Sequence, residues 1–268
     1  MTDASDDRRV PVELRPYLDE LVRRTRAVCG PLLTGVYAVG SVALGDYRHG
    51  RSDVDVAVVV DPALPGAALR ELAAALAHPD LPCPAAGLEL VVYGADSAGR
   101  PSGRAGYLLD LNTGPLLPDR ASFDPAGATA FWYVVDRAVA HQSGLALHGR
   151  PAQEVIAAPE RAEVLAALAA SVREHAEGEG HLADNRVLNG CRAAAYCRTG
   201  RWLPKRRAAQ DLAATEETLR PLIGAALDSF ERPRSQARPL PPDDVRAFLA
   251  RVRDLVAEAA AAAGPTDC

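Results

Sequence analysis

Residues 40–60 read GSVALGDYRHGRSDVDVAVVV. The run at 54–60 is short, β-branched and apolar on both faces beyond Asp55, the pattern of a strand covered on both sides of a sheet. Side chains alternate along a strand, so Asp53 and Asp55 share one face while Val54 and Val56 point to the other. That period holds the two carboxylates roughly 6–7 Å apart, and they repel unless a cation lies between them. Upstream, Gly40 permits a tight turn and Ser41 offers a hydroxyl and an amide. A short helix after them would aim N–H groups at a phosphate. A buried strand that opens on paired acids beside such a turn is a ligand site at one end of a sheet.

The surrounding sequence supplies the sheet. The apolar set Leu14, Tyr17, Leu18, Leu21, Val22 and Val28 has helical spacing and stops at Gly30-Pro31. LLTGVYAVG (32–40) reads as a strand ending at the Gly-Ser turn, and ALRELAAALA (68–77) as a helix. LELVVY (88–93) is a third strand, with Glu89 and Val91 on one face and Leu88, Leu90 and Val92 on the other. The stretch at 95–106 is rich in Gly, Ser and Pro and reads as a loop. YLLDLNTG (107–114) predicts a fourth strand nearer an edge, and the segment 128–144 a helix closed by Gly144. From Pro159 onward only helical patterns occur, with RPRSQARPLPP (232–242) as a proline-stiffened linker. The expected organisation is an α/β domain over residues 1–156 and a helical bundle over 157–268. Residues 1–9 read as disordered, and Trp132 and Trp202 as core aromatics.

Composition excludes several classes. The longest apolar runs fall far short of the roughly 20 residues a membrane span needs. The first ten residues are polar and acidic, with no apolar segment of a secretory signal, so a cytoplasmic location is expected. Five cysteines form no C-x-x-C pair and no Cys/His cluster, against both a zinc site and a disulfide framework. A net charge of −5 disfavours nucleic acid and is compatible with a cationic small molecule. One lysine, Lys205, occurs in the whole chain. Nothing in the sequence fixes the oligomeric state; a monomer is expected.

If the strands at 54–60 and 88–93 pair, Glu89 joins the face of Asp53 and Asp55. Three carboxylates without His or Cys are an all-oxygen set suited to Mg²⁺ or Mn²⁺, and a pair of such ions clamps the attacking and leaving oxygens of an in-line displacement. Chemistry at phosphorus is the physical reading.

The stretch 40–60 resembles the Gly-Ser…Asp-x-Asp signature of the nucleotidyltransferase superfamily, the one containing DNA polymerase β. LELVVY, LALHGRPAQEVI (145–156) and NRVLNGCRAAAYCRTGRWLPKRRAA (185–209) resemble the aminoglycoside nucleotidyltransferases of the streptomycin/spectinomycin 3″-(9)-adenylyltransferase type. The resemblance implies a mixed β-sheet followed by a helical bundle. It implies Mg²⁺, two ions during turnover, on Asp53, Asp55 and Glu89, with Glu89 also the base for the acceptor hydroxyl. ATP is the implied co-substrate, with Gly40, Ser41 and Ser52 at its phosphates and Arg192 and Lys205 binding the triphosphate from the helical domain. The implied reaction is transfer of AMP to an aminoglycoside or aminocyclitol hydroxyl, as in antibiotic resistance. The tryptophan by which the family contacts streptomycin has no counterpart in YLLDLNTG, and Asp184, Glu179 or Asn112 are the candidates for the acceptor. Two other readings keep the fold: transfer to a protein side chain or another natural product, and a catalytically silent nucleotide-binding regulator.

Overall fold

The computed structural model describes residues 10–178 and 180–263; the expectation for residues 1–9 lies outside them. The chain divides into two compact units, Met1–Pro159 and Glu160–Cys268.

The first unit is built on a six-stranded sheet in the order β5-β4-β3-β2-β1-β6. In chain order its elements are α1 (Arg15–Cys29), β1 (Leu33–Ala38), the one-turn α2 (Gly40–Ala43), β2 (Val54–Val60), α3 (Gly66–Leu76) and β3 (Leu88–Gly94). There follow α4 (Ala95–Ala98), β4 (Tyr107–Thr113), β5 (Arg120–Ser122), α5 (Phe131–Ser143), β6 (Leu145–Gly149) and α6 (Ala152–Val155). The β2–β3 pair is parallel and every other pair antiparallel, so the sheet is mixed.

The two faces have different tasks. Val56, Val58 and Val60 of β2, with Leu88, Leu90 and Val92 of β3, pack in one apolar layer with Leu18 and Leu21 of α1 and Leu72 and Leu76 of α3. The opposite face carries Ala57, Val59, Val91 and Tyr93, grouped with Tyr133 and Ala140 of α5 and Ala152 of α6. Asp55 and Glu89 belong to this second face by parity, at the end where the apolar layer runs out. Each fully buried aliphatic side chain contributes about 1.5–3 kcal/mol, so the α1/α3 layer anchors the strands that present the acids.

Several elements differ from the sequence reading, which assigns neither the three-residue strand β5 nor the helical turn α6. β6 is a strand where a domain junction was expected: LALHG is five residues long and bounded by glycines, too short for a periodicity signal, and it pairs antiparallel with β1. The predicted loop at 95–106 opens with the helical turn α4. In the second unit Lys205–Thr215 is a helix that the sequence reading left unassigned, started by Pro204.

The second unit comprises α7 (Arg161–Glu177), α8 (Ala183–Thr199), α9 (Lys205–Thr215), α10 (Arg220–Phe230) and α11 (Pro242–Ala262). Gly200, at φ +68°, ends α8 as the Thr-Gly stop predicts, its N–H donating to the Tyr196 carbonyl at 2.7 Å. A Cβ on Gly190 would lie 2.6 Å from the Phe248 ring, so α8 and α11 approach closely there. Ser229 of α10 is fully buried and donates to the Asp184 carboxylate of α8 at 2.5 Å; it also accepts the Arg238 N–H at 2.8 Å. No helix among the described residues is long and apolar enough to cross a membrane.

Ser229→Ala removes the donor to a buried carboxylate and the acceptor of a backbone N–H. It should destabilise the chain by about 2–3 kcal/mol, read as a lowered midpoint in urea unfolding.

Candidate active site

The site starts where β1 hands over to α2. The Val39 N–H donates to the Asp55 carbonyl at 2.9 Å, tying the end of β1 to the start of β2. Gly40 has φ +55°, and a Cβ there would stand 1.9 Å from Asp55 Oδ2. Glycine is therefore required twice, by the backbone conformation and by the carboxylate against it. Ser41 Oγ is shielded from solvent and has no hydrogen-bond partner, an orphaned hydroxyl suited to a ligand oxygen. Ser52 is occupied differently: its buried hydroxyl accepts the Arg48 N–H at 3.0 Å and closes the turn that delivers Asp53 to the strand.

Sheet register then sets a row. Asp55 on β2 stands beside Glu89 on β3, Glu89 beside Asn112 on β4, and Asn112 beside Arg120 on β5. The Asn112 amide satisfies both ends when its nitrogen donates to the Leu111 carbonyl (3.2 Å) and its oxygen accepts from Arg120 Nη2 (3.1 Å). Arg120 also bonds buried Asp110 at 2.7 Å, and the Tyr133 hydroxyl donates to the same Asp110 oxygen at 2.6 Å. The far end of the row is thus charge-balanced.

Desolvation first, then the charges of Asp53, Asp55 and Asp136, with a hydrogen bond to Asp53, hold the Glu89 carboxyl well above the usual carboxylate range. Asp136, on α5, was not anticipated. Its signal in the sequence was a lone acid in the apolar run FWYVVDRAVA, where no strand pattern drew attention to it. Its neighbour Arg137 is buried and donates to the carbonyls of Ser102 (2.7 Å), Arg104 (2.6 Å) and Ala105 (2.9 Å), pinning the 99–106 loop to α5.

This all-oxygen set fits Mg²⁺ chemistry. Among the described residues no three acids, histidines or cysteines form one metal cage, so Asp53, Asp55 and Glu89 are not gathered as a three-ligand set. Mg²⁺ itself takes one or two carboxylates and fills its shell with water and phosphate oxygens.

The residues expected in the helical domain fall in the second unit. Lys205 donates to Asn185 Oδ1 at 3.2 Å and lies 5.8 Å from the Phe230 ring centre. Arg192 lies over the Trp202 ring at 5.3 Å, and seven residues separate it from Asn185, which places both on one face of α8. Asp184 is fully buried, its carboxylate spent on Ser229 and the Asn185 N–H, so it anchors α8 and offers no oxygen to an acceptor. Glu179 lies outside the described residues. Trp202 is a core aromatic as expected, but Trp132 is exposed.

The family model described as the nucleotidyltransferase domain matches residues 19–80, the segment holding the Gly40-Ser41 turn and both strand acids. Residues 19–80 thus match a nucleotidyltransferase domain, and the chain is an enzyme of nucleotidyltransferase type. Among solved structures, it is similar to spectinomycin adenyltransferase AAD(9) from Enterococcus faecialis, determined with ATP and spectinomycin. The TM-score is 0.67 at 16% identity, over 91% of this chain and 99% of that one, a likeness of fold. No curated protein matches by sequence.

Gly40→Ala should destabilise the fold by roughly 1–3 kcal/mol, seen as a lowered thermal midpoint. Glu89 holds its proton more tightly folded than unfolded, so its contribution is fully present below the unfolded carboxylate pKa and is lost as pH rises through the raised folded value. The metal-free chain should lose stability across that window. Asp136→Asn should shift the Glu89 titration, followed by carboxyl carbon NMR, toward lower pH.

Proposed function

We propose that the chain transfers AMP from ATP to a hydroxyl of a cationic acceptor of the aminoglycoside or aminocyclitol class. The single observation carrying the proposal is the row in which Glu89 lies between Asp55 and Asn112, at the end of a sheet whose Gly40-Ser41 turn backs onto Asp55. The likeness of fold to a spectinomycin adenyltransferase supports the choice of acceptor.

Asp53 and Asp55 would hold Mg²⁺, which when bound supplies charge neutralisation and polarisation at the triphosphate. The remaining steps belong to side chains. Glu89, once ionised, accepts the proton of the acceptor hydroxyl as its oxygen bonds to the α-phosphorus. The bond from that phosphorus to the bridging oxygen breaks, and pyrophosphate leaves with the electron pair. Ser41 is assigned to a phosphate oxygen through its unsatisfied hydroxyl and Gly40 to the close backbone approach. Ser52 acts by fixing the turn before Asp53. The proposal assigns Arg192 and Lys205 to the charge that builds on departing pyrophosphate, and Asn112 to the acceptor beside the attacked hydroxyl.

The experiment incubates the chain with Mg-ATP and spectinomycin or streptomycin and follows pyrophosphate and the mass of the drug. An added AMP is expected. Asp53→Asn, Asp55→Asn and Glu89→Gln should each reduce turnover at least about 10²-fold. Release of pyrophosphate without modified drug, or equal turnover in Asp53→Asn, would sink the proposal.

A further inference from the structure

Trp132 stands at the start of α5, four residues before Asp136, and that spacing stacks the two side chains on one face of the helix. It is 40% exposed, whereas the chain's other tryptophan, Trp202, is buried against Tyr196 with ring centres 4.8 Å apart. The adjacent Phe131 is buried and its ring centre lies 4.4 Å from that of Trp132, which holds the indole in place while leaving surface open. The same helix turns Tyr133 and Arg137 toward the sheet, onto Asp110 and over Tyr93. An exposed indole thus sits one turn from Asp136 on the helix that packs over the sheet face carrying Asp55 and Glu89.

Resting on the transfer reaction proposed above, we infer that Trp132 and Asp136 form the ammonium subsite of the acceptor. The indole face receives the cation and the C–H groups next to it, and the Asp136 carboxylate pairs with the charge. The pair supplies what β4 lacks: Asn112 offers an amide but no aromatic face and no charge. A nucleotide is the poorer occupant, since phosphate oxygens beside Asp136 would add like charge to a site already crowded with it.

The test uses tryptophan emission of the full chain with Mg²⁺, a non-hydrolysable ATP analogue and spectinomycin. The acceptor should change the emission in wild type and in Trp202→Phe, and the change should vanish in Trp132→Phe. Trp132→Ala should raise the acceptor Kd about 3- to 30-fold, and Asp136→Asn about tenfold or more, both with an unaltered Kd for the ATP analogue. Trp132 is exposed, so its alanine variant should keep the wild-type thermal midpoint, which separates a lost subsite from a lost fold. An unchanged acceptor Kd in Trp132→Ala overturns the inference, as does an emission change that follows the ATP analogue and not the acceptor. Both outcomes leave the transfer reaction standing. Absence of spectinomycin binding to the wild-type chain, together with absence of AMP transfer, overturns the reaction and the subsite with it.

Discussion

Like-charge crowding governs the first unit. Asp53, Asp55, Glu89 and Asp136 crowd one end of a sheet, and desolvation together with the charges of the other three holds the Glu89 carboxyl well above the usual carboxylate range. Such an arrangement opposes folding and persists only where the scaffold overrides it. The scaffold does so with the opposite face, where the alternate residues of β2 and β3 pack in one layer with α1 and α3. One set of strand positions stabilises and the other set is left to hold charge, a division made possible by the two-residue period of a strand.

How much of this was legible in the sequence follows from what each signal depends on. Asp53, Asp55 and Glu89 could be placed on one face because strand parity is local, and VDVAVVV and LELVVY are strongly patterned. The pairing of Asp55 with Glu89 needed only that neighbouring strands align. Asp136 could not be found this way. Its place depends on where α5 lies across the sheet, a tertiary relation that no short-range spacing encodes. Asp184 failed for the mirror reason: an acidic stretch looks the same whether its carboxylate meets solvent or the hydroxyl of Ser229, forty-five residues away. Trp132 was read as a core residue because aromatics usually are; at the first turn of an amphipathic helix, one position decides between core and surface.

Ser41 and Ser52 show the same limit at finer scale. Both lie in the signature stretch, and both hydroxyls are withdrawn from water. One closes a turn through the Arg48 N–H and the other has no partner. Residue type and spacing cannot separate these roles, because the difference is the presence of a single backbone N–H within reach.

The parts of the site also differ in how tightly the fold constrains them. Gly40 is fixed by its backbone conformation and by Asp55 standing where any side chain would be, so a change there disturbs the strand end itself. Asp55 and Glu89 are fixed by register, which shifts only if every residue of a strand changes face. Trp132 has no such restraint, being an exposed side chain on a helix surface, and Asn112, though held by the same register, is a half-buried amide near the sheet edge. Substitution at either leaves the core layers unaltered. A fold shared at 16% identity with a spectinomycin adenyltransferase is what this asymmetry permits. Backbone-level constraints hold the turn and the strand acids together in this chain, while the surface of α5 at Trp132 is free to vary.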